Sequence, residues 1–268
     1  MSGKLTFNTI DLFSGCGGMS LGFKWAGFNT LLASDIDENC KLTFQKNFID
    51  IPFICNDISL LLKKEIDHLI NKKNVDVITG GPPCQGFSLA NKNRNKVKDD
   101  PRNRLFFEFV KVINWYNPKA FVMENVKGLL SMHKGEVFRQ IINEFENTAT
   151  GYNVRWQILK ASDYGVPQCR ERVIIIGIRK DLNLYPEFPL IKYKKPTTVD
   201  EAISDLPLIN AGEGADKMEY NSKPKNNYQK FLRKNSKYVY NHIAMNHTKR
   251  LIERFMAINH GQSLVDVW

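Results

Sequence analysis

The chain has 268 residues, 43% of them hydrophobic, and a formal charge of +10. That length and apolar fraction suit one large α/β domain, or one domain and part of a second, around a substantial core. No apolar run approaches the ~18 residues of a membrane span, Met1-Ser2-Gly3-Lys4 is no export signal, and the five cysteines are never spaced C-x-x-C, so a reduced, cytoplasmic chain with no membrane segment and no metal site is expected.

In chain order, apolar and β-branched runs predict strands over residues 7–13, 29–34, 75–79, 120–124, 154–159 and 172–178. Between them, helical spacing predicts helices over 19–26, 38–47, 58–70, 104–116 and 136–148. Strands alternating with helices of this length imply βαβ units around a mostly parallel, doubly wound sheet. The first strand runs into Asp11-Leu12-Phe13-Ser14-Gly15-Cys16-Gly17-Gly18, a glycine-rich turn opening a helix. Such a turn lets a nucleoside approach backbone, but Gly15, Gly17 and Gly22 do not give G-x-G-x-x-G, so a nicotinamide site fits less well than another adenosine cofactor. Asp35 follows ~20 residues later at a strand end, where a carboxylate commonly receives ribose hydroxyls. Asp57 is a candidate for the adenine amino group, a helix N-cap, or both.

After the strand over 75–79 comes Gly80-Gly81-Pro82-Pro83-Cys84-Gln85-Gly86-Phe87-Ser88. Prolines fix the backbone before Cys84 and glycines open space around it, an arrangement that presents a nucleophile at the edge where α/β sheets bind ligands. A lone cysteine is more often a buried hydrophobe, so the reading rests on its companions. Lys92, Arg94, Lys96, Lys98, Arg102 and Arg104 follow, against only Asp99 and Asp100. A second basic stretch, 217–254, holds ten basic and two acidic residues interleaved with aromatics. Each could be a solvated face; together they favour a nucleic-acid partner. Glu124 ends the next strand, within Phe121-Val122-Met123-Glu124-Asn125-Val126. Pro167-Gln168-Cys169-Arg170-Glu171-Arg172 leads into the last strand, and Arg170 and Arg172 at its start are expected on opposite faces, one reaching into the site and one bracing the scaffold through a carboxylate. After residue 180, prolines 186, 189, 196 and 207 break the periodicity, 210–240 reads as a polar loop-rich stretch, and a helix returns near 248–258. The expected division is a catalytic domain over 1–190 and a basic, loop-rich segment over 191–268.

The order DLFSGCGG, PPCQGFS, ENV and QCRER resembles the cytosine-carbon-5 DNA methyltransferases of bacterial restriction–modification systems, over residues 7 to about 180. The resemblance implies a Rossmann-like catalytic domain that takes a methyl group from S-adenosylmethionine, leaves S-adenosylhomocysteine, and acts on double-stranded DNA near the nucleoid. By resemblance, Phe13, Gly15, Gly17, Asp35, Ile36, Asp57 and Leu105 line the cofactor pocket. Cys84 is the nucleophile, Glu124 engages ring nitrogen 3, Arg172 holds the cytosine carbonyl and Arg170 supports the site. Gln85, Ser88, Lys92, Arg94, Lys96 and Arg102 are the implied DNA contacts. The chemistry is coherent: carbon 5 of cytosine is a weak nucleophile until a thiolate adds to carbon 6, and the base must leave the stack first. A tRNA cytosine methyltransferase and a non-catalytic DNA-binding regulatory partner are the competing readings. The first lacks support in Lys127-Gly128-Leu129, and the second is opposed by the intact Pro83-Cys84-Gln85. Family members usually continue into a recognition domain and a last cofactor motif not found before Trp268. The expectation is therefore an incomplete recognition domain, completed by a second subunit or a further C-terminal part.

Overall fold

The computed structural model describes residues 6–83, 104–191, 193, 195–234 and 236–267. It divides into two compact units: Met1–Lys160 with Arg170–Ile191, and Ala161–Cys169 with Lys192–Trp268.

The first unit carries β1 (Asn8–Leu12), α1 (Gly18–Trp25), β2 (Asn29–Asp35), α2 (Glu38–Asn47), β3 (Phe53–Cys55), α3 (Lys63–Leu69), β4 (Val77–Gly80), α4 (Arg104–Tyr116), β5 (Ala120–Val126), α5 (Glu136–Glu146), β6 (Tyr152–Lys160) and β7 (Glu171–Arg179). Its seven-stranded sheet has the order β3-β2-β1-β4-β5-β7-β6. The strands β1 to β5 are parallel, whereas β7 pairs antiparallel with both β5 and β6. Two elements differ from the sequence reading. The strand β3 was not expected, because three residues behind Pro52 carry too little periodicity. The helix expected over 58–70 is broken: a single 3-10 turn, Ile58–Leu60, is followed by extended backbone at Leu61 and Leu62 before α3 begins. Leu61 is buried there, and the Glu65 side chain accepts from the Leu62 N–H to start the new helix.

The main core lies against this sheet, from Ile10 and Leu12 through Ile78, Phe109, Ile113, Phe121 and Phe145 to Val173 and Ile175. A smaller cluster joins Ala33 to Phe44 and Phe48 of the α2 region. Phe121 is fully buried, stacked on Phe145 at 4.0 Å and edge-on to Phe109 and Tyr152. Burying one such ring is worth roughly 1.5–3 kcal/mol. The ring occupies the space that Gly177 leaves on the paired strand β7; a Cβ there would lie 2.1 Å from Phe121.

Asp11, on β1, is buried with its carboxylate fully engaged. Oδ2 accepts from the backbone N–H and hydroxyl of Ser20 on α1, and Oδ1 accepts from the Thr79 hydroxyl on β4 at 2.8 Å. Burial pushes this carboxyl above its ordinary range, opposed by the hydrogen bonds.

The second unit holds α6 (Val199–Ile203), β8 (Gly214–Glu219), α7 (Asn227–Leu232), β9 (Tyr238–Ile243) and α8 (Lys249–Ala257), with β8 and β9 paired antiparallel. The stretch read as loop-rich thus forms a hairpin and a helix, whose polar strands hid their alternation. Polar contacts hold this unit. Asp205, buried, takes a 2.9 Å bond from Arg233, whose guanidinium lies 3.7 Å from the Tyr220 ring centroid. Among the described residues, Pro207 is the one buried apolar residue of the second unit, all the others belonging to the first, and no helix is long and apolar enough to cross a membrane.

Two outcomes are expected. Gly177→Ala destabilises the chain by about 1–3 kcal/mol through overpacking, read as a lower urea midpoint at unchanged slope. Asp11→Asn changes the pH dependence of stability. Because the folded-state pKa of Asp11 lies above the unfolded value near 3.8, the native state holds the extra proton between the two. The stability of the parent relative to the variant therefore falls as pH rises through that window and then levels off. A pH-independent difference in urea unfolding would show that Asp11 titrates normally.

Candidate active site

The strand order reverses between β2 and β4 on either side of β1, and ligands of open α/β sheets bind at such a switch point beyond the carboxyl ends of the strands. A cavity of about 360 Å³ lies there, lined by Phe13, Ser34, Asp35, Ile36, Asn56, Asp57, Ile58, Gly81, Pro83 and Leu105. Phe13 follows β1, Asp35 ends β2, Asp57 follows β3, Gly81 follows β4, and Leu105 comes from the first turn of α4. The lining therefore combines apolar side chains with two carboxylates, acceptors that fit the hydroxyl and amino groups of an adenosine-bearing ligand.

Asp35 does two things at once. It lines the cavity, and its Oδ2 accepts the Gly15 N–H at 2.8 Å while Oδ1 accepts from Asp37 N–H at 3.1 Å. The glycine-rich turn is thus fastened to β2 by a charge-assisted bond, the stronger kind. Asp57 likewise combines the two readings open for it. Its carboxylate caps the Ile58–Leu60 turn through Ser59 N–H at 2.8 Å, which lowers its pKa, and it lines the cavity. Five of the seven residues assigned to the pocket meet here: Phe13, Asp35, Ile36, Asp57 and Leu105. Gly15 and Gly17 are not among the lining residues. Gly15 has φ +53° and gives its N–H to Asp35. Gly17 has φ +91° at the start of α1, where a Cβ would come within 2.7 Å of Phe44 and Phe48. Both glycines shape the turn. Phe13 itself sits at φ +53°, uncommon for a residue with a side chain. Ser34, Asn56, Ile58, Gly81 and Pro83 also line the cavity and were not singled out; the signal available was their adjacency to assigned residues.

Beyond Gly81 lies a charged cluster on β5 and β7. A Cβ on Gly81 would lie 3.4 Å from Glu124 Oε2. Glu124 Oε1 is 2.9 Å from Arg172 Nε and 3.5 Å from Arg170 Nη2. The Arg172 Nε–H makes no aligned hydrogen bond despite that distance, and Nη1 donates to the Glu171 carbonyl at 2.8 Å. The expected division of the two arginines between opposite faces is corrected: both approach one carboxylate. Residues two apart on extended backbone point to the same face, so the spacing of Arg170 and Arg172 itself favours this shared approach. Neighbouring Asn125, buried, was also passed over; its Nδ2 donates to the Pro82 carbonyl at 2.9 Å and its Oδ1 accepts from Val126 N–H. Cys84, Gln85, Ser88, Lys92, Arg94, Lys96 and Arg102 lie outside the described residues. Among those described, no group of three or more His, Cys, Asp or Glu side chains is placed to hold a metal ion.

Residues 7–265 match the model of the C-5 cytosine-specific DNA methylases. The chain is 47% identical over 268 residues to the type II methyltransferase M.DdeI of Desulfomicrobium norvegicum, covering 97% of this chain and 63% of that protein. It is 38% identical to the type II methyltransferase M1.HphI of Haemophilus parahaemolyticus, covering 98% of this chain and 64% of the relative. The chain thus spans somewhat under two thirds of the length of these curated relatives. A crystal structure described as a DNA modification methyltransferase encoded within an E. coli prophage aligns over 96% of this chain and 77% of its own, with a TM-score of 0.79 and 29% identity. With the cavity at the switch point, the charged cluster beside it and a match running almost from end to end, the chain belongs to the C-5 cytosine-specific DNA methylase family.

Proposed function

We propose that this chain transfers a methyl group from S-adenosylmethionine to carbon 5 of cytosine in double-stranded DNA. The observation that carries the reading is adjacency: the wall of the adenosine-sized cavity at Gly81 and Pro83 runs directly, in sequence, into Cys84, and Gly81 packs beside Glu124. S-adenosylmethionine supplies the electrophilic methyl group when bound. Asp35 and Asp57 accept hydrogen bonds from the nucleoside, and Phe13, Ile36, Ile58 and Leu105 form its apolar bed. The Cys84 thiolate adds to carbon 6 of an extruded cytosine and raises the electron density at carbon 5. Glu124 engages ring nitrogen 3, held in place by Arg172 and Arg170, and Arg172 reaches the carbonyl oxygen of the base. Gln85, Ser88 and the basic residues Lys92, Arg94, Lys96 and Arg102 contact DNA. Loss of the carbon-5 proton and expulsion of Cys84 release the product. A DNA substrate also implies a cytoplasmic, nucleoid-associated protein.

A second element of the proposal concerns completeness. Sequence-specific methylation requires polypeptide beyond these residues, on a second subunit or as a further segment. Two observations support it: the chain spans under two thirds of its first relatives, and among the described residues the second unit buries only Pro207 of its apolar residues. Within α8 no residue is buried, and Met245, Met256 and Val265 are each at least three-quarters exposed. A unit of this size does not fold stably on polar contacts alone.

The test is covalent trapping with S-adenosylmethionine and a duplex bearing 5-fluorocytosine, where fluorine blocks the final elimination. A denaturation-resistant adduct is expected with DNA and absent with tRNA, and it disappears in Cys84→Ala. Glu124→Gln is expected to slow methyl transfer by roughly 10²–10⁴, and Asp35→Ala to weaken cofactor binding by about 1.5–3 kcal/mol. Equal loss of cofactor affinity in Cys84→Ala and Asp35→Ala would overturn the division of roles. Substantial sequence-specific methylation by the purified chain alone would overturn the need for further polypeptide.

A further inference from the structure

The sheet edge that carries Glu124 is charged on its other face too. Lys127 follows β5 directly, and its ammonium donates to Glu171 Oε2 at 3.0 Å. Glu171 opens β7 and is the register partner of Lys160, the last residue of β6, so their side chains leave one face about 5 Å apart. Alternation puts that face opposite the one shared by Arg172 and Glu124. Among the described residues, Glu171 pairs with Lys127, and Lys160 forms no ion pair. Neither lysine belongs to the basic stretches 92–104 and 217–254, and the proposed methyl transfer uses neither.

We propose that Lys127 and Lys160 hold backbone phosphates of the duplex beside the extruded cytosine, and that Glu171 keeps Lys127 in place until a phosphate replaces it. This rests on reading the chain as a methyltransferase acting on DNA. Contacts to phosphate carry no sequence information; they fix the register and orientation of the protein on the duplex. The two lysines are therefore positioning residues, and they act on the strand that supplies the base.

Charge and reach both support this partner. At this edge Lys127, Lys160, Arg170 and Arg172 stand against the carboxylates of Glu124 and Glu171, which leaves two positive charges uncompensated where a polyanion must lie. Lys127 is three residues from Glu124, at most about 10 Å along extended backbone, so its flexible side chain reaches a phosphate next to a nucleotide whose ring meets Glu124. A purely stabilising role fits poorly. The side chains of Lys127 and Glu171 are 58% and 43% exposed, and an exposed pair contributes only about 0–1 kcal/mol.

The arrangement gives the three side chains effects of opposite sign. Each lysine that neutralises a phosphate releases counterions, so its loss weakens binding and flattens the dependence on salt. Glu171 competes with phosphate for Lys127, and its charge repels the backbone, so its loss tightens binding. A structural ion pair would behave differently: loss of either partner would act in the same direction.

The experiment measures fluorescence anisotropy of a labelled duplex with a mismatched cytosine, which leaves the stack at least cost, as the full chain is added over a series of salt concentrations. Lys127→Gln combined with Lys160→Gln is expected to reduce the slope of log K against log[salt] by about 1.8, two contacts at ~0.9 each. Lys127→Arg with Lys160→Arg keeps the parent slope, and Glu171→Gln binds more tightly at low salt. Lys46→Gln with Lys73→Gln removes the same charge from exposed positions in the last turn of α2 and ahead of β4, and leaves the slope unchanged. An unchanged slope in the first variant, an equal fall in the Lys46 and Lys73 variant, or weaker binding by Glu171→Gln overturns the inference while the DNA reading stands. A parent chain that binds no duplex overturns that reading, and the inference with it.

Discussion

The buried carboxylate of Asp11 is the constraint on which the rest of the first unit depends. It fastens the first turn of α1 and the strand β4 to the same point of β1, through Ser20 and Thr79. Removing a carboxylate from water is unfavourable unless its lone pairs are met, and here both oxygens are. The geometry that results is specific. With α1 and β4 both tied to β1, Phe13 and the Gly81–Pro83 segment leave neighbouring strand ends, and with the ends of β2 and β3 they wall the cavity. Asp35 repeats the device one strand over, holding Gly15 from the end of β2.

The charged cluster depends on a second topological fact. Because β7 runs antiparallel to β5, its first residues, not its last, stand at the carboxyl edge of the parallel strands, so that Arg172 pairs across from Val126. A parallel strand there would have placed its opening arginines at the far end of the sheet. The reversal thus puts two guanidinium groups beside Glu124. The two guanidinium groups hold one carboxylate at the edge where the cavity opens, although the buried Arg172 Nε–H meets it without an aligned hydrogen bond.

Much of this arrangement was legible in the residues. The apolar runs marked six of the seven strands, and the residues at their carboxyl ends, Phe13, Asp35 and Glu124, are the ones the fold gathers at one edge. What escaped was information carried by contacts rather than by period. The strand β3 is three residues long and is recognisable only through its pairing with Ala33, Ser34 and Asp35. The break at Leu61 follows from burial of that side chain, which helical spacing cannot distinguish from a helix face. The shared face of Arg170 and Arg172 follows from their spacing, but their common partner, Glu124 on the paired strand, is fixed only by the sheet order. Asn125 carried no signal of its own, and only the fold shows it holding the Pro82 carbonyl.

The uneven distribution of the core has a thermodynamic consequence. A chain whose buried apolar side chains lie almost all in one of two units has no single free energy of unfolding; each unit opens on its own scale. For the first unit that scale is intrinsic, set by the packing around Phe121 and the bonds of Asp11. For the second it rests on polar contacts such as Arg233 on Asp205, with Met245, Met256 and Val265 largely exposed. The second unit therefore opens at lower denaturant than the first, and a single transition fitted to the whole chain would average two different events.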